Sequence, residues 1–198
     1  MSFESYRSKG LASTFLMVFV SVIVMFASVL FPNSELYISI IVLFVNFVTL
    51  FLLLVSMNGF AKYYDDSNIF KNTLYPVIIG FSSATLYRIL NYVFVAPIME
   101  QSSISVSLQV FAILWVVTSV VAIINGIFYR RAFDTLAEKS GERNFKQAGS
   151  YMFTGGVLMI VLVGSVMVFI AWILAFKGFS SMKPKSSQTN SVQETPQN

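Results

Sequence analysis

Long apolar runs constrain the fold of this chain more than any other feature. They recur at residues 11–31, 36–60, 74–96, 104–128 and 150–176. Each run is long enough to cross the roughly 30 Å hydrocarbon core of a bilayer as an α-helix, which rises about 1.5 Å per residue. The runs therefore predict an all-α fold, an integral membrane bundle of about five transmembrane helices.

The composition favours the same class of protein. Hydrophobic residues make up 56% of the 198 residues and charged residues only 11%, against about 25% charged residues in soluble domains. Arg7 and Lys9 precede the first run, as basic residues precede the apolar part of a secretory signal. That run is about 21 residues long, however, whereas the apolar part of a signal peptide has about 7 to 15. We interpret it as a retained span.

The third run is the weakest of these spans because it contains Arg88. A central arginine costs about 2.5 to 3.5 kcal/mol on insertion scales, while each leucine, isoleucine, valine or phenylalanine contributes about 0.3 to 0.6 kcal/mol. Leaving this run out of the membrane would place the basic loop at 129–149 outside the cell. That arrangement opposes the positive-inside rule, so five spans are favoured over four.

The distribution of lysine and arginine predicts the orientation. With five spans, residues 1–10 and the loops after the second and fourth runs share one side and carry Arg7, Lys9, Lys62, Lys71, Arg130, Arg131, Lys139, Arg143 and Lys146. The N-terminal segment is therefore predicted to be cytoplasmic, in a multi-pass protein of the cell membrane. Residues 11–178 form the membrane domain, and the polar tail at 179–198 is predicted to be disordered and external.

The longest charged stretch is FYRRAFDTLAEKSGERNFKQAG, residues 128–149. Arg130 and Asp134 are four residues apart, a spacing that places them on one helical face beyond the membrane surface. Gly141 is the type of residue that ends a helix, and Glu142 then lies in the first turn of the next helix. The stretch is predicted to be the tip of a helical hairpin. Its acidic and basic residues alternate, so no nucleic-acid partner is predicted.

This stretch, followed by VGSVMVFIAWILAF, resembles the C-terminal signature of an uncharacterised prokaryotic membrane family, catalogued as domain of unknown function 996. The segment KYYDDSNIFKNTLY after the second run resembles a second block of that family. The resemblance covers approximately residues 10–179. It implies a multi-span membrane protein without an assigned activity, and it transfers no catalytic residues to this chain.

The residue types missing from the sequence narrow its chemistry. The chain has no cysteine and no histidine, which excludes thiolate nucleophiles and the most common metal ligands and general bases. All carboxylates lie outside the apolar runs, so a buried acidic proton relay is not predicted. Asp65 and Asp66 precede the third run and are interpreted as helix-capping residues rather than a cation site. We predict no enzymatic activity, no cofactor and no metal.

One candidate site is a polar cluster inside the bundle. Asn46, Arg88 and Gln109 fall at similar depths of the second, third and fourth spans, respectively, and Glu100 lies in the adjoining loop. The favoured interpretation is structural, with Arg88 reaching the outer surface or pairing with Glu100. The alternative is a binding site for an anionic or polar solute.

A second candidate is a face of small residues in the fifth span. It consists of Gly149, Gly156, Gly164, Ala171 and Ala175, whose spacing places them on one helical stripe. Small residues allow helices to approach closely in lipid, so this face is predicted to contact another helix of the same chain or of a second copy.

Two functions follow as hypotheses. The first is a non-enzymatic multi-pass membrane protein that assembles with itself or with a membrane partner protein. The second is a small transporter or channel subunit that uses the cluster around Arg88. The lipid bilayer is a partner under both hypotheses.

Overall fold

The computed structural model describes residues 2–30, 35–90, 104–161 and 163–184. Within these ranges the chain is helical and contains no strand, which confirms the predicted all-α fold. The α-helices are α1 (Phe3–Leu30), α2 (Glu35–Tyr63), α3 (Ser67–Leu90), α4 (Ile104–Ser140), α5 (Arg143–Leu158) and α6 (Gly164–Ser181). A short 3₁₀ helix, Met159–Val161, follows α5.

The helices form a bundle in which each packs on the next along the chain and α6 returns to α1. Successive helices are antiparallel. Between α1 and α2, for example, Ser56 Oγ donates to the Tyr6 carbonyl at 2.8 Å and Ser13 Oγ donates to the Thr49 carbonyl at 3.0 Å. One end of the bundle therefore contains the start of α1, α3 and α5 and the end of α2, α4 and α6.

This end, which we call the basic end, holds most of the positive charge. Of the 13 lysine and arginine residues, Arg88 lies far along α3, towards the opposite end. Lys185 lies outside the described residues. The others lie within about three helical turns of the helix ends that meet here, or in the residues directly beyond those ends.

Aromatic side chains from several helices form a core at the basic end. The Phe60 ring of α2 stacks on Phe179 of α6 at 5.9 Å between centroids, and Phe179 packs edge-on against Phe145 of α5 at 4.9 Å. Phe145 in turn stacks on Phe133 of α4 at 6.0 Å. All four side chains are fully buried. Burial, with a smaller contribution from Tyr63, raises the pKa of the adjacent Tyr64 to about 12.

The run predicted to be a straight fifth span, residues 150–176, is divided in the structure. Helix α5 ends at Leu158, the chain turns through the 3₁₀ helix, and α6 begins at Gly164. Because Phe145 at the start of α5 contacts Phe179 near the end of α6, the two helices are antiparallel. They form a hairpin, which we call the α5–α6 hairpin.

The hairpin places the C-terminal end of α6 beside the N-terminus. Arg7 Nη1 donates to the Met182 carbonyl at 3.2 Å. This differs from the sequence-based expectation that the tail and the tip at 128–149 lie on opposite sides. The expectation counted one crossing for residues 150–176, whereas the structure reverses the chain direction there. The tail predicted to be disordered starts at residue 179, but residues 179–181 are the end of α6 and Phe179 is fully buried. Residues 185–198 lie outside the described residues.

Several helices are apolar and yet weakly buried. Three segments within the described residues are long and apolar enough to cross a membrane: Ile40–Tyr63, Leu108–Ser140 and Gly164–Ser181. Only 22% of the most apolar part of the first and 11% of that of the second is buried in the bundle. Phe44 of α2 and Ile113 of α4 are 68% and 64% exposed.

Candidate interaction site

The loops of the basic end are fixed by capping residues and one ion pair. Asp66 precedes α3, and its Oδ1 accepts the Asn68 backbone N–H at 3.0 Å, which confirms the capping role predicted for Asp66. Lys139 near the end of α4 lies 3.4 Å from Asp66 Oδ2. Gly141 has a φ of 76°, a conformation that glycine adopts without strain, and α4 ends directly before it as predicted.

An open groove lies on the outside of the basic end, between α4 and α5. Its volume is about 370 Å³, and it is lined by Ile127, Arg130, Arg131, Asp134 and Phe153. We call it the Arg130 groove. The part of the groove further from the basic end is apolar, and the part nearer to it carries the charged side chains. The reason is that the sequence of α4 changes there from apolar to polar.

Two contacts orient the guanidinium of Arg130 in this groove. Its Nε lies 3.6 Å from Asp134 Oδ2, which confirms the predicted i, i+4 pair. Its Cζ lies 5.3 Å from the centre of the Phe153 ring, a cation–π distance. Asp134 Oδ1 is buried without a hydrogen-bond partner among the described residues. The groove therefore combines a restrained cation with a carboxylate that is not fully satisfied.

Close packing of α5 on α4 brings Phe153 to this position. A Cβ on Gly126 would lie 2.9 Å from the Met152 carbonyl oxygen and 3.1 Å from the Phe153 Cα. Glycine is therefore the residue that lets the two backbones approach. The groove depends on a packing contact that joins residues distant in sequence.

The structure separates the predicted small-residue face onto two helices. Gly149 and Gly156 lie on α5 and pack against α4, where added Cβ atoms would lie 3.1 Å from the Arg130 Cα and 2.6 Å from the Ala122 carbonyl oxygen. Gly164 lies at the start of α6 and faces the Gly155 carbonyl within the hairpin. Ala171 and Ala175 of α6 are fully buried in the aromatic core. All five are buried within one chain.

The predicted polar cluster involves α2, α3 and α4. Asn46 is half-buried in α2, and Gln109 is exposed near the start of α4. Arg88 belongs to α3, two residues before its end at Leu90, and Glu100 lies outside the described residues. Arg88, Asn46 and Gln109 all lie towards the end of the bundle opposite the basic end. The cluster stays a prediction.

Sequence reasoning missed two polar side chains within the apolar spans. Asn125 of α4 has a buried Oδ1 without a partner among the described residues, and its Nδ2 would lie 3.3 Å from a Cβ added to Gly80 on α3. Trp115 Nε1 donates to the Ile160 carbonyl of the hairpin turn at 3.1 Å. Asn125 was visible in the sequence as an amide inside an apolar run. The role of Trp115 requires knowledge of the turn.

Comparison with known proteins places this arrangement in a family. The model of a family described as "Protein of unknown function (DUF996)" matches residues 45–173, most of the chain. A relative in Methanocaldococcus jannaschii, "Uncharacterized protein MJ1644", is 27% identical over 144 residues. The match covers 66% of this chain and 75% of the relative. No solved structure matches the chain significantly.

Proposed function

The chain belongs to the DUF996 family, whose description assigns no function, and we propose that it is a multi-pass protein of the cell membrane with a non-enzymatic, assembly-forming role. In this proposal α1 to α4 cross the bilayer. The α5–α6 hairpin enters from the basic end, which is cytoplasmic, and returns to it.

The observation that carries the proposal is that highly apolar helices are weakly buried in the bundle. In water, a helix with apolar residues on most of its surface would bury them in a protein core. Here the exposed residues of α2 and α4 are large and apolar, as at Phe44 and Ile113. A hydrocarbon solvent accounts for this pattern, because lipid tails replace the missing protein contacts.

The length of the hairpin supports a partial entry into the bilayer. Lys146 near the start of α5 and Lys177 near the end of α6 are exposed at the basic end. Between each lysine and the turn there are about 12 residues, or roughly 18 to 20 Å of helix, whereas the hydrocarbon core is about 30 Å thick. The turn beside Trp115 would therefore lie inside the membrane. Because the described residues form an even number of antiparallel α-helices, Lys177 and Lys183 at the end of α6 lie on the same side as most of the other basic residues, as the positive-inside rule favours.

Membrane extraction and thiol labelling test this placement. The protein is expected to stay in the membrane pellet after alkaline carbonate treatment. Because the sequence has no cysteine, single substitutions at the exposed Glu138 of the tip and in the tail, Glu138→Cys and Ser187→Cys, report the two positions separately. Both should resist a membrane-impermeant thiol reagent in intact cells and react after permeabilisation. Reaction of Ser187→Cys alone in intact cells would indicate five membrane crossings and contradict the hairpin.

The surface that we propose for assembly is the part of α4 furthest from the basic end, between Ile104 and Trp115. The α5–α6 hairpin reaches only to the level of Trp115, so about 16 Å at the start of α4 extends past it. Leu108 and Ile113 in this part are 62% and 64% exposed, and the amide of Gln109 is exposed among them. An amide in lipid is stabilised by hydrogen bonds across a helix–helix contact. A helix from a second copy or another membrane protein would supply that contact.

Disulfide crosslinking distinguishes assembly from simple exposure to lipid. Ile113→Cys is expected to form a crosslinked dimer on mild oxidation in membranes. With a partner protein that also bears a thiol, it would instead give a heavier adduct. Phe44→Cys is the matched control, since Phe44 is equally exposed but lies on α2. Equal, weak crosslinking at both positions would contradict a specific contact on α4.

A further inference from the structure

We propose that the Arg130 groove binds the headgroup of a phospholipid that carries both a phosphate and a hydrogen-bond donor beyond it, such as ethanolamine or glycerol. The inference rests on the proposed membrane placement of the bundle. It adds a defined ligand site, on an outer surface of the protein, to a part of the chain that has no other assigned role.

The position of the groove suits a lipid. Ile127 and Phe153 form its apolar part, and Arg130 and Arg131 lie one helical turn further towards the basic end. In the proposed placement this is the boundary between hydrocarbon and headgroups. The acyl chain of a bound lipid would contact the apolar part of the groove, and the phosphate of the same lipid would lie level with the two guanidinium groups. The volume of about 370 Å³ is sufficient for a headgroup with its glycerol.

The charges in the groove suit a phosphate followed by a donor. Arg130 is held by Asp134 and by the face of Phe153, so its remaining N–H groups are oriented before a ligand arrives. Arg131 lines the same groove, is exposed, and has no ion pair among the described residues. Guanidinium groups bind phosphate oxygens through paired hydrogen bonds. The Asp134 side chain is one third exposed and its Oδ1 is buried. Oδ2 is therefore the oxygen that can accept a hydrogen bond from an ammonium or hydroxyl group beyond the phosphate.

The ligand chemistry is tested with short-chain lipids of equal net charge. Dihexanoyl phosphatidylethanolamine and dihexanoyl phosphatidylcholine are titrated separately into the purified full-length protein in detergent, with binding measured by native mass spectrometry. Both headgroups are zwitterionic, but only ethanolamine has N–H donors. The ethanolamine lipid is expected to bind about tenfold more tightly, the ratio expected from one additional hydrogen bond to a charged group. Equal binding of the two lipids would overturn the assignment of Asp134.

The phosphate contact is tested with Arg131→Gln, which leaves the Arg130–Asp134 pair in place. The matched control is Lys146→Gln, which removes one exposed positive charge at the same end of the bundle but outside the groove. Arg131→Gln is expected to weaken binding of the ethanolamine lipid about fivefold, and Lys146→Gln less than twofold. Equal losses would show a general charge effect and overturn the site. Thermal melts of both variants verify that they are folded.

A free anion and a lipid are distinguished by inorganic phosphate. The short-chain lipid is expected to bind at concentrations at which inorganic phosphate does not compete, because phosphate lacks the acyl chain. Full competition at equal concentration would overturn the lipid assignment and identify a free-anion site. Failure of lipid binding would leave carbonate extraction unchanged, whereas failure of the membrane placement would release the protein into the supernatant. The two proposals are therefore separable.

Discussion

The two ends of the bundle are stabilised by different surroundings. At the basic end, every α-helix contributes aromatic rings or apolar side chains to one buried core, and α3 does so through Ile69. At the opposite end, α4 extends past the α5–α6 hairpin, and large side chains such as Phe111 and Ile113 are exposed. The same residue types thus form a protein core at one end and an external surface at the other.

This difference shows that hydrophobicity alone does not locate the core of such a protein. Phe60 and Phe44 both lie on α2, but the first is fully buried and the second 68% exposed. In a membrane, burial against lipid and burial against protein satisfy the same apolar side chain. Packing specificity at the basic end must therefore come from shape, as in the ring contacts and glycine contacts described above.

The largest expected effect on stability comes from removing a buried ring of α2 at the basic end, compared with removing an exposed ring near the other end of the same helix. Phe60→Ala deletes a ring that contacts Phe3, Tyr6 and Phe179, and should lower the free energy of unfolding by about 3 to 5 kcal/mol. Phe44→Ala removes an exposed ring and should cost less than about 1 kcal/mol, since lipid or detergent fills its place. Denaturant titration in detergent micelles measures both. Equal losses of unfolding free energy would show that the end opposite the basic end is also packed against protein.

The next largest effect on stability tests whether α5 and α6 pack closely in the hairpin or are held together only by being apolar. Gly164→Leu puts a branched side chain against the Gly155 carbonyl and the end of α5, and should destabilise the protein by about 1 to 3 kcal/mol or more. Val166→Leu adds bulk only two residues away, at an exposed position, and should be nearly neutral. The same denaturant titration applies. A nearly neutral Gly164→Leu would mean that α5 and α6 can separate without loss.

The hairpin explains why the sequence predicted the helices better than their path. Its turn consists of Met159, Ile160 and Val161, followed by more apolar residues. A turn in water is marked by polar residues, glycine or proline, because its backbone groups bond to water. In the placement that we propose, this turn lies in lipid, where a neighbouring side chain can bind its carbonyl instead of water, as Trp115 does for Ile160. The hydropathy of residues 150–176 therefore predicts one span, although these residues belong to two helices.

The local features of the basic end were accessible because they depend on short spacings. The Arg130–Asp134 pair, the Asp66 cap and the helix end at Gly141 each involve residues within four positions of one another. The Arg130 groove was not accessible, since Phe153 reaches it through α5 packing on Gly126. Gly155, Gly156 and Gly164 around the turn were the one available signal of the hairpin, and we interpreted part of that set as a straight stripe.

A smaller effect is expected from the hydrogen bond at the hairpin turn. Trp115→Phe keeps an aromatic ring but removes the N–H that binds the Ile160 carbonyl, and should cost about 0.5 to 1.5 kcal/mol. Phe111→Leu is the control, because it alters the ring stacked on Trp115 at 6.0 Å without removing a hydrogen bond. Unfolding in bicelles measures the difference. If the two variants are equally stable, the turn carbonyl has another partner, such as water, and the turn is less deeply inserted than we propose.

The smallest effect is expected from the ion pair that joins the end of α4 to the loop before α3. Lys139 and Asp66 are 3.4 Å apart, with side chains 42% and 18% exposed, so water and salt screen much of their attraction. Lys139→Gln should therefore cost less than about 1 kcal/mol at low salt, and the difference from the wild type should shrink at high salt. Lysine is the residue to change, because Asp66 also accepts the Asn68 N–H that begins α3, and its removal would combine two effects. Lys146→Gln, which removes an exposed charge on α5, controls for the net charge of the basic end. A loss above about 2 kcal/mol that is insensitive to salt would mean that the pair is shielded from water, and that the dry core of the basic end extends to its outermost loop.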